Sequence, residues 1–243
     1  MLSEIDLLPF SVSMPIGERV VVLAPHPDDE TLGMGGSLRL ISERGKKIKV
    51  VVLTSGEKAE ADVPDRQKYA FIRQKEALKA FKVLGVMDYE FLGFPDRELF
   101  ENMDEAVQAV RKIIDDFRPD AIYSPSIIEI NPDHRFAAEL SIALSMEFTD
   151  IRCFFYEITV PIRPNILVDV TKFFKYKKKA VKCYKSQLKI TDYLRLVKAL
   201  NTYRSFTLGM GVKFAEAFLQ IDEIMSKEKM KAWLSYEMPI LQK

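Results

Sequence analysis

The chain has 243 residues, 48% of them hydrophobic and 29% charged, with a formal net charge of +1. That length can bury a sizeable core within one domain, the composition is that of a globular protein, and the near-neutral charge gives no field that would favour nucleic acid. No apolar run approaches the roughly 18 residues of a membrane span, the acidic start does not read as a secretory leader, and Cys153 and Cys183 lie outside any CxxC motif, so the expected location is cytoplasmic with both thiols as packing residues.

Strand and helix signals alternate along the chain. Val20–Ala24 is a continuous aliphatic run, as expected of a central parallel strand covered on both faces. A helix is expected from about Glu30 to Arg44, ended by Gly45. Ile48–Thr54 is the next buried run, closed by Ser55-Gly56. Pro64 to Leu84 has helical spacing, with Pro64 suited to the start and Gly85 to the end. Tyr89–Leu92 is a short strand before the turn Gly93-Phe94-Pro95-Asp96. Met103–Phe117 is amphipathic, with Val107, Val110, Ile113 and Ile114 on one side. Pro119 stops it and Ala121–Tyr123 begins another strand. Asn131-Pro132-Asp133 opens a helix carrying Ala137, Leu140 and Leu144. Cys153–Val160 and Ile166–Val170 read as later strands, and the last third, from about residue 172, as mostly helical and lysine-rich. This alternation predicts an α/β fold, an open sheet with right-handed crossovers. Ligands in such sheets bind beyond the carboxyl ends of the strands. His26 and His134, the only two histidines, both fall there.

The stretch LAPHPDDETLGMGG puts His26, followed by Pro27, just before Asp28, Asp29 and Glu30. A catalytic zinc site commonly uses three ligands from His, Asp, Glu and Cys and leaves a fourth position for water. His26 and Asp29 form a close pair, and His134 is the one remaining histidine. Together they make a two-His, one-carboxylate set, leaving Asp28 as the general base beside a cation. The acids also open a helix, whose dipole favours negative charge. The plain alternative is a capping or packed histidine. Its weight falls because both histidines sit in Pro-Asp contexts at corresponding strand ends. Gly33, Gly35 and Gly36 do not complete a phosphate loop and are expected to let the helix pack closely on the sheet.

These residues resemble the PIG-L/LmbE-like zinc-dependent N-deacetylases. The resemblance spans roughly residues 18 to 221. It rests on His26-Pro27-Asp28-Asp29-Glu30 and on Pro132-Asp133-His134, with support from Arg73-Gln74-Lys75-Glu76, Leu92-Gly93-Phe94-Pro95-Asp96, Ser186-Gln187-Leu188 and Ala215-Glu216-Ala217-Phe218. It implies a Rossmann-like, mainly parallel sheet with helices on both faces, and removal of acetyl groups from N-acetylglucosamine-type sugars. It further implies His26, Asp29 and His134 as ligands of one Zn2+ per chain, although Fe2+ or another divalent metal also suits two histidines and a carboxylate. Asp28 is the implied base, Asp133 belongs to the second catalytic motif, and Arg73 and Asp96 are implied to face the substrate. Against that, Arg73 and Glu76 also read as a surface helix pair, and Asp96 as an ordinary turn residue.

The sequence departs from the family at Asn131, where many members carry histidine. An amide cannot deliver a proton to a leaving amine, but its NH2 can donate to an oxyanion. Either Asp28 performs both proton transfers, or the reaction is slow, or the task differs; Glu129 is a spare carboxylate nearby. The lysine-rich stretch 172–189 reads as a solvated face or as a basic rim that receives an anionic sugar conjugate. The expected partner is a small N-acetylated sugar conjugate, with no nucleic acid and no integral membrane association; a homo-oligomer is compatible. The alternatives are a metal-containing sugar- or nucleotide-binding protein with weak catalysis, and an amidohydrolase of a non-sugar N-acyl substrate.

Overall fold

The computed structural model describes residues 8–60 and 62–221. An eight-stranded sheet forms the middle layer. Its strands are β1 (Val12–Ser13), β2 (Arg19–Ala24), β3 (Lys47–Thr54), β4 (Asp88–Phe94), β5 (Ala121–Pro125), β6 (Arg152–Tyr156), β7 (Ile166–Asp169) and β8 (Ala215–Ile221). The helices are α1 (Asp29–Glu43), α2 (Arg66–Leu84), α3 (Met103–Phe117), α4 (Pro132–Glu147), α5 (Phe174–Val181), α6 (Lys185–Leu188) and α7 (Tyr193–Arg204).

Strand β2 is covered on both faces, as its unbroken aliphatic run predicts. Val20, Val22 and Ala24 point into one core with Leu38 and Ile41 of α1, Phe81 of α2, Ala180 of α5 and Val197 of α7. Val21 and Leu23 point into the other, with Val110 and Ile114 of α3 and Ala137 and Leu144 of α4. Helices therefore lie on both sides, and the sheet order is β1-β7-β8-β6-β5-β2-β3-β4. From β2 the chain winds outward through β3 and β4, then returns to place β5 on the opposite flank of β2. That reversal opens a crevice at the carboxyl ends of β2 and β5.

Local chemistry fixes the ends of the elements. Asp65, in an extended conformation, accepts from the Lys68 N–H and caps α2, so the helix starts two residues after the expected Pro64. Gly85 closes it at φ 80°. Asn131 caps α4, accepting from the Asp133 N–H at 2.8 Å, with Pro132 in the first turn. At Gly33 in α1, a Cβ would stand 2.1 Å from the Tyr156 ring, so the helix packs on the sheet only because that position is bare.

The later part of the chain corrects the sequence reading in two places. Strand β6 ends at Tyr156 rather than Val160, because the backbone N–H groups of Ile158, Thr159 and Val160 turn onto the Glu129 carboxylate. The last third is not simply helical: β8 inserts between β6 and β7 and runs antiparallel to both. Residues 222–243, also expected to be helical, lie outside the described residues. Among the described residues no helix is long and apolar enough to cross a membrane. Cys153 and Cys183 are both free thiols, and burial pushes Cys153 up to about 12, which leaves it a packing group.

Candidate active site

The tight turn after β2 and the loop before α4 meet in the crevice. His26 Nδ1 lies 3.1 Å from Asp29 Oδ2 and 3.2 Å from His134 Nε2, and His134 Nε2 lies 3.2 Å from the same Asp29 oxygen. The three donor atoms form a near-equilateral triangle. A tetrahedral cation with bonds of about 2.0 Å would set its ligands roughly 3.3 Å apart, so the triangle fits one divalent ion. All three residues are buried. Burial opposes the charged imidazoles, but the surrounding carboxylates together outweigh it, Asp29 with Asp133 and Asp96 raising His26, and Asp29 with Glu129 lifting His134 to about 9. Burial likewise works against the Asp29 carboxylate, yet the two histidines hold it well below the usual range. The triad is built to contain positive charge, as protons or as a cation.

Each imidazole has a carboxylate behind it. His26 Nε2 faces Asp96 Oδ1 at 3.1 Å and Asp133 Oδ2 at 3.3 Å. These three residues make a second cluster around the opposite ring nitrogen. Its carboxylates already accept backbone N–H groups: Asp96 from Lys58 at 3.0 Å, Asp133 from Arg97 at 2.6 Å and Leu99 at 3.3 Å. Such an arrangement suits orientation of a ligating histidine. His134 Nδ1 has Glu129 Oε2 at 3.6 Å, an ion-pair distance but too long for a hydrogen bond. Glu129 does more for the backbone, gathering the N–H groups of residues 158–160 into one wall of the crevice.

Asp28 adjoins the triad and occupies a backbone conformation, φ 145°, that non-glycine residues rarely adopt. Its carboxylate accepts from Arg73 Nη2 at 3.1 Å. Burial raises it to about 7, against the pull of Arg73. Arg73 also donates to the carbonyls of Gly56 at 2.7 Å and Pro27 at 3.1 Å. The surface pair with Glu76 is therefore not what forms. Both side chains are buried, and Glu76 instead accepts from Ser186 N–H at 3.0 Å and Oγ–H at 2.6 Å. That contact ties α6 to α2 and sets Gln187 beside the crevice.

The crevice is a cavity of about 620 Å³, well within the usual range for small-molecule sites. His26, Asp28, Asp29, Arg73, Asp96, Asn131 and His134 all line it. Asp133, wholly buried, does not line it and meets the site through His26 and through the Arg97 N–H. The Asn131 oxygen is engaged as the α4 cap, and its Nδ2 has no hydrogen-bond partner among the described residues. The sequence reading missed Arg97, Ile130, Thr159, Ile190 and Tyr193, which complete the rim. Each comes singly from a separate loop or helix start; the one signal was Arg97 following Pro95-Asp96 in a turn. The lysines of 172–189 do not line the cavity, and Lys177 is buried against Glu216 at 2.6 Å.

Known proteins resemble this chain in sequence and fold. A family model described as PIG-L, GlcNAc-PI de-N-acetylase, matches residues 21–145. A probable N-acetyl-alpha-D-glucosaminyl L-malate deacetylase 2 of Bacillus cereus is 27% identical over 183 residues, 69% of this chain and 83% of the relative. A diacetylchitobiose deacetylase of Thermococcus kodakarensis is 28% identical over 214 residues, 77% of this chain and 76% of the relative. The solved N,N'-diacetylchitobiose deacetylase of Pyrococcus horikoshii, in complex with its inhibitor MPG, superposes with a TM-score of 0.74 at 26% identity, over 91% of both chains. The matched segment contains both histidine loops and covers more than half of the chain, which therefore belongs to the PIG-L, or GlcNAc-PI de-N-acetylase, family.

Proposed function

We propose that the chain is a zinc-dependent hydrolase, a single catalytic domain that removes the acetyl group from an N-acetylglucosamine-type sugar conjugate. The observation that carries this reading is the triangle of donor atoms, 3.1–3.2 Å on each side, with the Asp28 carboxylate on the adjoining residue and open to the same cavity. His26, Asp29 and His134 would hold the cation. When bound, it supplies a Lewis acid for the amide carbonyl and lowers the pKa of a water to about 7.

The chain's own groups do the rest. Asp28 takes the proton of the attacking water, and its bond to Arg73 keeps that carboxylate fixed. Asn131 donates through Nδ2 to the oxyanion of the tetrahedral intermediate. An amide has no proton to give at neutral pH, so Asp28 returns its own to the departing amine. Asp133 acts through His26, holding the ring. Asp96 braces the same ring and faces the substrate. The relatives support the sugar as substrate, since one is described as a probable N-acetyl-alpha-D-glucosaminyl L-malate deacetylase and another as a diacetylchitobiose deacetylase.

Amine release from N-acetylglucosaminyl conjugates and non-sugar N-acyl compounds, before and after chelation, tests this reading. Release from the sugars, abolished by chelation and restored by zinc, is the expected result. Release from the non-sugar compounds alone would reassign the substrate, and none from any compound would remove the hydrolase. A second reading, a metal-containing sugar-binding protein with weak catalysis, is favoured by Asn131, whose oxygen already serves the helix. If it holds, Asn131→His raises a poor rate at least tenfold. A robust wild-type rate that the substitution does not raise removes it.

A further inference from the structure

The catalytic reading uses the floor of the cavity and leaves one charge on its wall without a task. Arg97 lines the cavity and is exposed. The acidic groups on the surrounding loops are engaged elsewhere. Glu98 pairs with Lys58 Nζ. Asp96 meets His26 and the Lys58 N–H, and Asp133 meets His26 and the N–H groups of Arg97 and Leu99. Glu57 accepts from the Asp96 N–H at 3.1 Å and from Ser55 Oγ at 2.6 Å. Among the described residues the Arg97 guanidinium forms neither an ion pair nor a hydrogen bond. Arg73, the other arginine lining the cavity, is locked to Asp28 and two carbonyls.

The position of Arg97 is constrained as well as unpaired. Its backbone sits at φ 67°, in the left-handed region that long side chains seldom enter. The Asp133 carboxylate holds it there through the Arg97 N–H at 2.6 Å. The carboxylate that braces His26 thus also sets where the Arg97 side chain leaves the main chain. The expected basic rim of 172–189 does not contribute, since none of its lysines lines the cavity. A planar guanidinium with five donors matches two oxygens of one carboxylate or phosphate.

Building on the deacetylase reading above, we propose that the substrate's aglycone carries an anionic group, a carboxylate or phosphate, and that Arg97 is the specificity-determining residue that binds it. The two sources share one chemistry and are separated by experiment. Three N-acetylglucosaminides serve as probes: a malyl glycoside, the 1-phosphate and the neutral methyl glycoside. Calorimetric binding to zinc-supplied protein is measured alongside amine release, for wild type, Arg97→Asn and Arg97→Lys. Asparagine tolerates the left-handed backbone and keeps the N–H to Asp133 while removing the charge. Lysine keeps the charge without the planar fork.

The wild type is expected to bind at least one anionic probe about tenfold to a hundredfold tighter than the neutral one, as charge-assisted hydrogen bonds allow. The loss caused by Arg97→Asn should be at least tenfold larger on that probe than on the neutral glycoside, and Arg97→Lys should recover part of it. The probe that loses most identifies the group. Equal affinity of wild type for all three probes, binding of none of them, or an equal loss on charged and neutral probes in Arg97→Asn would overturn the proposal. Charge-selective binding without amine release would uphold Arg97 and defeat the deacetylase reading, so the two failures are distinct.

Discussion

The floor and the rim of the cavity are built in opposite ways. On the floor, His26, Asp28, Asp29, Arg73 and Asp96 are buried and each is held by at least one other polar group. On the rim, Ile130 is 75% exposed, Ile190 is 46% exposed, and the Arg97 guanidinium is unpaired among the described residues. A floor so interlocked leaves little freedom for the reacting groups, which is what positioning for one reaction requires. A rim of exposed side chains can vary at its tips without disturbing that geometry. On the proposed reading the chemistry resides in the floor and the choice of substrate in the rim.

Substitutions on the two levels should therefore behave differently. Asp28→Asn should reduce amine release by about 10³–10⁴-fold on every sugar conjugate, near the upper end for loss of a general base, with metal content unchanged. A loss confined to one conjugate would move Asp28 from floor to rim. Beneath the floor, Lys177 and Glu216 form a buried ion pair, and Glu216 also accepts from the Gly36 and Ser37 N–H groups of α1. Lys177→Met leaves that carboxylate unpaired and should lower stability by about 3–5 kcal/mol in denaturant unfolding. A change below about 1 kcal/mol would mean that the pair is not what supports the helix bearing Asp29.

Smaller effects follow at the boundary. Asn131→Ala removes both the oxyanion donor and the α4 cap. It should lower kcat by about 10²-fold and stability by about 1 kcal/mol, read by initial rates and thermal unfolding. A stability loss with kcat intact would leave Asn131 a cap alone. On the rim, Ile190→Ala should raise KM a few-fold and leave kcat within about twofold, as expected for binding shared by ground and transition states. A larger fall in kcat would show that the rim reaches the chemistry.

The sequence disclosed the floor far better than the rim. The aliphatic runs of β2 and β3 stand out because a strand buried on both faces admits few polar residues. The acids after Pro27 stand out because a helix start explains one or two of them, but not three in a row behind a histidine at the end of a buried strand. Strand β8 escaped notice because Glu216 and Gln220 interrupt its apolar residues and Glu216 suggests solvent. Its burial depends on Lys177, 39 residues earlier, in a segment whose lysines suggest a solvated face. The rim residues follow no period and no motif, since they come from loops that only the sheet order brings together. Arg73 was legible as a residue but not in its partner, because Gly56 and Asp28 approach it only in three dimensions; a Cβ at Gly56 would lie 2.2 Å from its guanidinium.

The most direct test of the floor is anomalous scattering at the zinc edge from crystals of the zinc-supplied protein. The account predicts one peak about 2.0–2.1 Å from His26 Nδ1, His134 Nε2 and one Asp29 oxygen. A peak bound instead to His26 Nε2 with Asp96 and Asp133, or no peak within this cavity, would contradict it.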